Sequence, residues 1–155
     1  MELKEFNSLI DLYFHQAKKQ KSKSDFLEWL NPKNKVKYTW EQTSLNIYKL
    51  ANIIKGNIKD NDRCLLISEN RPEWLISDIA IMLANGITVP AYTTYTEKDY
   101  RYLIEDCEPS IIIVSNNDMH EKIKKIINEK VFIKKIITLD EIKNVDYENR
   151  YLNYN

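Results

Sequence analysis

Residues 63–95, RCLLISENRPEWLISDIAIMLANGITVPAYTTY, decide the fold. Cys64–Ser68 and Ile87–Ala91 are short runs with scarcely a polar side chain, the pattern of parallel strands covered on both faces. Between them, Asn70 precedes Arg71, Pro72 and Glu73, a cap, an early proline and an acidic first-turn residue that together predict a helix start. The helix WLISDIAIMLAN is apolar almost all round, broken mainly by Ser77 and Asp78, so more than one of its sides is predicted to be covered. Its reversal at Asn85-Gly86 predicts a glycine at positive φ. The stretch therefore reads as one right-handed strand–helix–strand unit on which the rest must pack.

Working outward, the same grammar repeats. On the N-terminal side, Leu9, Ile10, Tyr13, Phe14 and Ala17 mark an amphipathic helix within 7–19, with His15 off its apolar face. Phe26 to Trp40 reads as a hairpin turning at Asn31-Pro32-Lys33-Asn34, with Val36, Tyr38 and Trp40 alternating on its second strand. Thr39 and Gln42 form a capping box for a helix that Gly56 ends. On the C-terminal side, Thr96 with Asp99 caps a helix whose stripe is Tyr100, Leu103, Ile104 and Cys107, and Pro109 stops it. Ser110–Ser115 is a strand, Asn116 or Asn117 caps a helix bearing Met119, Ile123, Ile126 and Ile127, and Val131–Leu139 supplies a last strand. Residues 1–140 thus form one α/β domain, and 141–155 are expected to be a frayed helix or disordered tail. The expected fold is an open, mostly parallel sheet with helices on both faces and an N-terminal hairpin lying along an edge or apart.

Composition narrows the chemistry. Hydrophobic residues are 43% and charged residues 30% of 155, enough for a core, and the formal net charge is zero, which argues against a nucleic-acid footprint. Only two glycines occur, Gly56 and Gly86, so no glycine-rich phosphate cradle can be written. His15 and His120 are far apart and pair with no cysteine at metal-ligand spacing. Cys64 and Cys107 read as buried free thiols of a cytoplasmic protein. The opening residues read as part of an amphipathic pattern rather than a signal peptide, and no apolar run approaches a membrane span. The run Lys18–Lys23 reads as a solvated helix end.

In such sheets ligands sit at the carboxyl ends of the strands, here Ser68-Glu69-Asn70, Tyr92-Thr93-Thr94 and Ser115-Asn116. Asn70, Arg71 and Glu73 admit two readings, ligand contacts or capping plus an arginine–carboxylate tie. Trp74 is likewise either an anchor in the core or at a domain boundary, or a stacking platform.

Three segments carry a family resemblance: YTWEQTSLNIYKLANII at 38–54, DRCLLISENRPEWLISDIAIMLANGITVPAY at 62–92 and TEKDYRYLIEDCEPSIIIV at 96–114. They resemble the N-terminal part of AMP-forming acyl-CoA synthetases, in the long-chain fatty acid–CoA ligase branch. The resemblance implies a parent reaction that joins fatty acid and ATP as acyl-adenylate, followed by attack of the coenzyme A thiol and release of AMP, with Mg serving the phosphates. It also implies that Tyr92, Thr93 and Thr94 form a loop facing CoA, the alternative being a plain strand–helix loop. The family's Thr/Ser/Gly-rich phosphate loop, aromatic-Thr-Glu motif and C-terminal lysine domain lie downstream of the matching region, and none is found in these residues. The implied object is therefore one sheet subdomain of the ligase, inert alone and binding neither ATP nor CoA tightly. Its partners would be the rest of the ligase chain or a second copy, with room for peripheral membrane contact in the full enzyme. A stand-alone interaction or dimerisation module without catalysis stays open, and the downstream reading frame separates the two. Acyl chain length is not encoded here.

Overall fold

The computed structural model describes residues 5–30, 35–143, 145 and 149–154. The turn expected at Asn31–Asn34 lies outside the described residues. In chain order the elements are α1 (Leu9–Lys19), β1 (Asp25–Leu30), β2 (Lys35–Thr39), α2 (Trp40–Lys55), β3 (Arg63–Ile67), α3 (Pro72–Leu83) and β4 (Ile87–Ala91). They continue as α4 (Glu97–Cys107), β5 (Ile111–Val114), α5 (Asn117–Glu129), β6 (Lys135–Thr138) and β7 (Tyr151–Asn153). β1 and β2 form a separate antiparallel ribbon, and the other strands form a parallel sheet in the order β4-β3-β5-β6-β7.

The apolar runs are explained by burial on both faces. Along β3, Cys64 and Leu66 point into a core shared with α1, α2 and α3, while Leu65 and Ile67 point into a second core under α4 and α5. The same alternation divides Ile111 and Ile113 from Ile112 and Val114 on β5. β3 to β4 steps one way along the sheet, and β4 to β5 steps back across β3. Right-handed crossovers then put α3 and α4 on opposite faces, as the two cores require. β4 is an edge strand and carries Pro90, which has no N–H to donate to a further strand.

Capping chemistry fixes most helix starts. Thr39 and Gln42, and Thr96 and Asp99, make reciprocal capping boxes, and Asn116 accepts from the Met119 amide. α3 differs from expectation: its cap is Arg71, extended at φ −138° and ψ 160°, and no side chain caps it. The residue before a proline is pushed out of the helical region and Pro72 suits the first helical position, so the boundary falls one residue after Asn70. Trp40 likewise opens α2 instead of ending the hairpin strand, and stacks on Phe26 with centroids 3.7 Å apart.

The α3–β4 reversal also differs from expectation. Asn85, not Gly86, takes the left-handed conformation, at φ 63°. The Gly86 amide donates to Ile81 O (2.9 Å) and that of Asn85 to Met82 O (3.1 Å), a paired helix-ending motif with asparagine at its left-handed position. Asparagine tolerates that region better than most residues, and here its side chain also reaches across to Asp60 Oδ1 at 3.3 Å. Gly86 is needed for closeness instead, since an added Cβ would lie 3.0 Å from both Ile58 Cδ1 and Ile81 Cγ2.

α3 was expected to be covered on more than one side, and it is: seven of its residues are buried. Trp74, Leu75, Met82 and Leu83 are half-buried against the first core. Exposed apolar side chains lie on α1 (Leu9, Leu12) and α2 (Leu45, Tyr48, Ile53).

The segment 141–155, expected to be frayed or disordered, contributes β7. Its short strand pairs with β6, placing Leu152 against the first core and Tyr151 against the second. Arg150 ties it down by donating to Lys130 O (2.9 Å) and Ile133 O (3.0 Å). Tyr151 Oη lies 2.8 Å from Nε2 of His120, which is fully buried. His120 Nδ1 has no hydrogen-bond partner among the described residues, with Glu121 Oε1 3.5 Å away. Burial holds the His120 pKa below its ordinary value. The unfolded chain therefore binds the extra proton first, so this contribution to stability is complete above about pH 6.5 and is lost as pH falls through the depressed folded value. Thermal midpoints are expected to drop between about pH 7 and about pH 5, and His120→Gln to flatten that dependence. Parallel profiles for the two proteins would rule the assignment out.

Candidate functional site

The order in which the chain adds strands reverses between β3 and β5, where the crevice typical of doubly wound folds belongs. Here that crevice is bridged: Asn116 Nδ2 donates to Glu69 Oε1 at 2.8 Å. The open space lies one strand over, at the carboxyl ends of β3 and β4. It is a cleft of about 520 Å³, with Ser68, Glu69 and Asn70 on one side, Pro90 and Ala91 below, and Trp74, Tyr92 and Thr93 around the mouth. Of the loop residues expected to face a ligand, the structure brings Tyr92 and Thr93 to the cleft. Thr94 is exposed on the same loop but outside the lining.

Buried donors hold that loop from beneath. Tyr100 Oη donates to Tyr92 O at 2.7 Å, and Lys122 Nζ donates to Thr93 O at 2.6 Å and to Tyr95 O at 3.4 Å. Burial, with Glu69 nearby, pushes the Tyr100 hydroxyl up to about 12, so it remains a donor. Tyr92 itself is 72% exposed, its ring edge-on to Tyr95.

The far wall is braced by a buried ion-pair network. Arg71 Nε lies 2.7 Å from Glu73 Oε2, and a second guanidinium nitrogen lies 2.9 Å from Asp140 Oδ1 after β6. Tyr38 Oη, from the hairpin, donates to Glu73 Oε1 at 2.9 Å, and the Arg71 guanidinium sits 4.9 Å over the Trp29 ring. Arg71 and Glu73 are thus tied to other elements, the ion-pair part of the second reading; its capping part is not seen, and Asn70 lines the cleft. Trp74 lines both the cleft and a smaller groove against Trp29.

What these groups can do is bind. Burial pushes the Cys64 thiol up to about 12, which makes it unreactive, and Ser68 Oγ spends its proton on Glu69 O. Among the described residues no group of three His, Cys, Asp or Glu side chains is placed to hold a metal ion. Sequence reasoning missed Lys122, Asp140 and the Glu69–Asn116 bridge. For Lys122 one signal was available, since it stands beside the buried Met119/Ile123/Ile126 stripe of α5.

A parallel sheet in this order, with helices on both faces and a cleft at its strand ends, defines a doubly wound α/β unit. The chain belongs to the AMP-binding enzyme family, which it matches over residues 13–152, beyond the 38–115 that carried the resemblance. It is 29% identical over 113 residues to long-chain-fatty-acid–CoA ligase ACSBG1 of Rattus norvegicus, covering 69% of this chain and 16% of that protein. To the mitochondrial acyl-coenzyme A synthetase ACSM5 of Rattus norvegicus it is 31% identical over 91 residues, covering 57% and 16%. The chain thus spans about a sixth of the length of these relatives. Two solved structures share the fold. One is a mutant form of coronafacic acid ligase from Pectobacterium brasiliense, with TM-score 0.80, 22% identity, and coverage of 92% of this chain and 27% of that one. The other is the anthranilate CoA ligase AuaEII in complex with anthranoyl-AMP, with TM-score 0.76, 18% identity, and coverage of 91% and 26%.

Proposed function

We propose that this unit is part of a fatty acid–CoA ligase and supplies one wall of its coenzyme A-facing cleft, without itself carrying adenylation. The observation that carries this reading is the cleft. Pro90, Ala91 and Trp74 offer apolar surface to a pantetheine arm, and the Tyr92–Thr93 loop offers hydroxyl and ring contacts to its polar groups. The parent reaction forms an acyl-adenylate from fatty acid and ATP with loss of diphosphate, and the coenzyme A thiol then displaces AMP. The residues present do not fit ATP or its magnesium, since the chain has two glycines, thirty residues apart, and the described residues hold no carboxylate or histidine triad. In this chain the task left is to hold and orient a thiol-bearing substrate.

Coenzyme A titrated into the isotope-labelled chain is expected to bind at millimolar strength and to move the NMR signals of Trp74, Tyr92 and Thr93. Shifts centred elsewhere, or none at about 10 mM, would overturn the coenzyme assignment. Calorimetry with ATP is expected to give no saturable heat, and micromolar affinity would show that the adenylation machinery is not missing.

A further inference from the structure

We propose that Lys122 is a positioning residue that sets the polarity of the cleft loop, so that the loop presents donors to a ligand rich in hydrogen-bond acceptors. This rests on the coenzyme reading above, whose phosphates and pantetheine amide carbonyls are such acceptors. Every peptide bond described is trans, which points each C=O opposite to the next residue's N–H. Tyr92 O is drawn to Tyr100 Oη, and Thr93 O to Lys122 Nζ. The amides of Thr93 and Thr94 must therefore point away from α4 and α5. Neither amide, and neither threonine hydroxyl, makes a hydrogen bond among the described residues. The loop thus carries two outward amides and two hydroxyls uncommitted among the described residues, while the carbonyls of Tyr92, Thr93 and Tyr95 are held by Tyr100 and Lys122.

Lys122 differs from Lys124 and Lys130 in what its ammonium meets. Lys124 pairs with Glu121, and Lys130, just past the helix, pairs with Glu105. Lys122 has no carboxylate within ion-pair distance among the described residues, and its recorded bonds all go to the loop. Its half-buried stem runs beside the α5 apolar stripe and delivers the ammonium to the carbonyls, whose dipoles it polarises.

The test compares Lys122→Met and Lys122→Arg in the full 155-residue chain. The Tyr95 amide, which closes the turn onto Tyr92 O at 3.2 Å, reports loop order by hydrogen exchange. It is expected to exchange about tenfold faster in Lys122→Met and to return near the parent rate in Lys122→Arg, with the core amides of β3 unchanged in both. Coenzyme A binding is expected to weaken about tenfold in the methionine variant and to recover in the arginine variant. Unaltered Tyr95 exchange or unaltered binding in Lys122→Met would overturn the positioning role. Should that variant fail to fold, Lys122→Gln gives the same two readouts. If the parent chain shows no coenzyme A shifts at all, the coenzyme reading falls, and Tyr95 exchange alone decides whether Lys122 holds the loop.

Discussion

Arg71→Ala is expected to cost about 3–5 kcal/mol, the largest loss of any single substitution near the cleft. The Arg71 and Glu73 side chains are only 9% and 7% exposed, and they face each other at 2.7 Å. Removing the guanidinium leaves the Glu73 carboxylate buried with one donor, Tyr38 Oη, and strands no charge on the solvent side because Asp140 is 48% exposed. The cost is that of an uncompensated buried charge, so replacing both partners is gentler than replacing one. Arg71→Met with Glu73→Leu is expected to recover most of the loss. Denaturant midpoints for the single and double variants check this. A single-variant loss below about 1 kcal/mol would mean that water reaches Glu73 and that the pair does not brace the wall.

Gly86→Val is expected to cost about 2 kcal/mol or more, through crowding rather than backbone strain. A Cβ there meets two isoleucine side chains at 3.0 Å and the Ile81 carbonyl at 3.2 Å, all packed where the chain leaves α3 for β4. Gly56 makes the contrast. Its φ of −69° is ordinary helix, and a Cβ would meet only carbonyl oxygens at 3.6 Å, so Gly56→Ala is expected to be neutral or to gain a few tenths of a kcal/mol. Equal unfolding midpoints for Gly86→Val and Gly56→Ala would show that the α3–β4 corner can open to make room.

The central strand–helix–strand unit was legible because its cause is local: runs apolar on both faces and a proline at the first turn, while the capping pairs that could be read three residues apart belong to α2 and α4. Tyr92 and Thr93 were legible for a related reason, since strand polarity alone puts them at the ligand end of the sheet. What stayed hidden depends on partners distant in sequence. Asp140 meets Arg71 across 69 residues, and nothing near either one announces the other. Lys122 in isolation is one lysine of a charged helix, and only the folded chain shows two loop carbonyls within its reach. β7 is three residues long, too short for periodicity to declare itself, and is held by long-range contacts from His120 and Arg150. At Asn85-Gly86 the sequence offers two residues suited to the left-handed position, and the fold uses the asparagine there while the glycine sits against Ile58 and Ile81, neighbours the local sequence does not reveal.

Pro90 limits how one copy of this chain can meet another. The Ile87 amide points inward to Asp62 O, so the alternate positions Thr88 and Pro90 face away from the sheet. Of these only Thr88 has an N–H, which leaves the outer margin of β4 a single outward donor. A second chain laid along β4 would therefore lose a ladder bond at Pro90, which makes that margin a poor template for strand addition. Contact along that margin then depends more on the shape and chemistry of side chains than on generic backbone pairing.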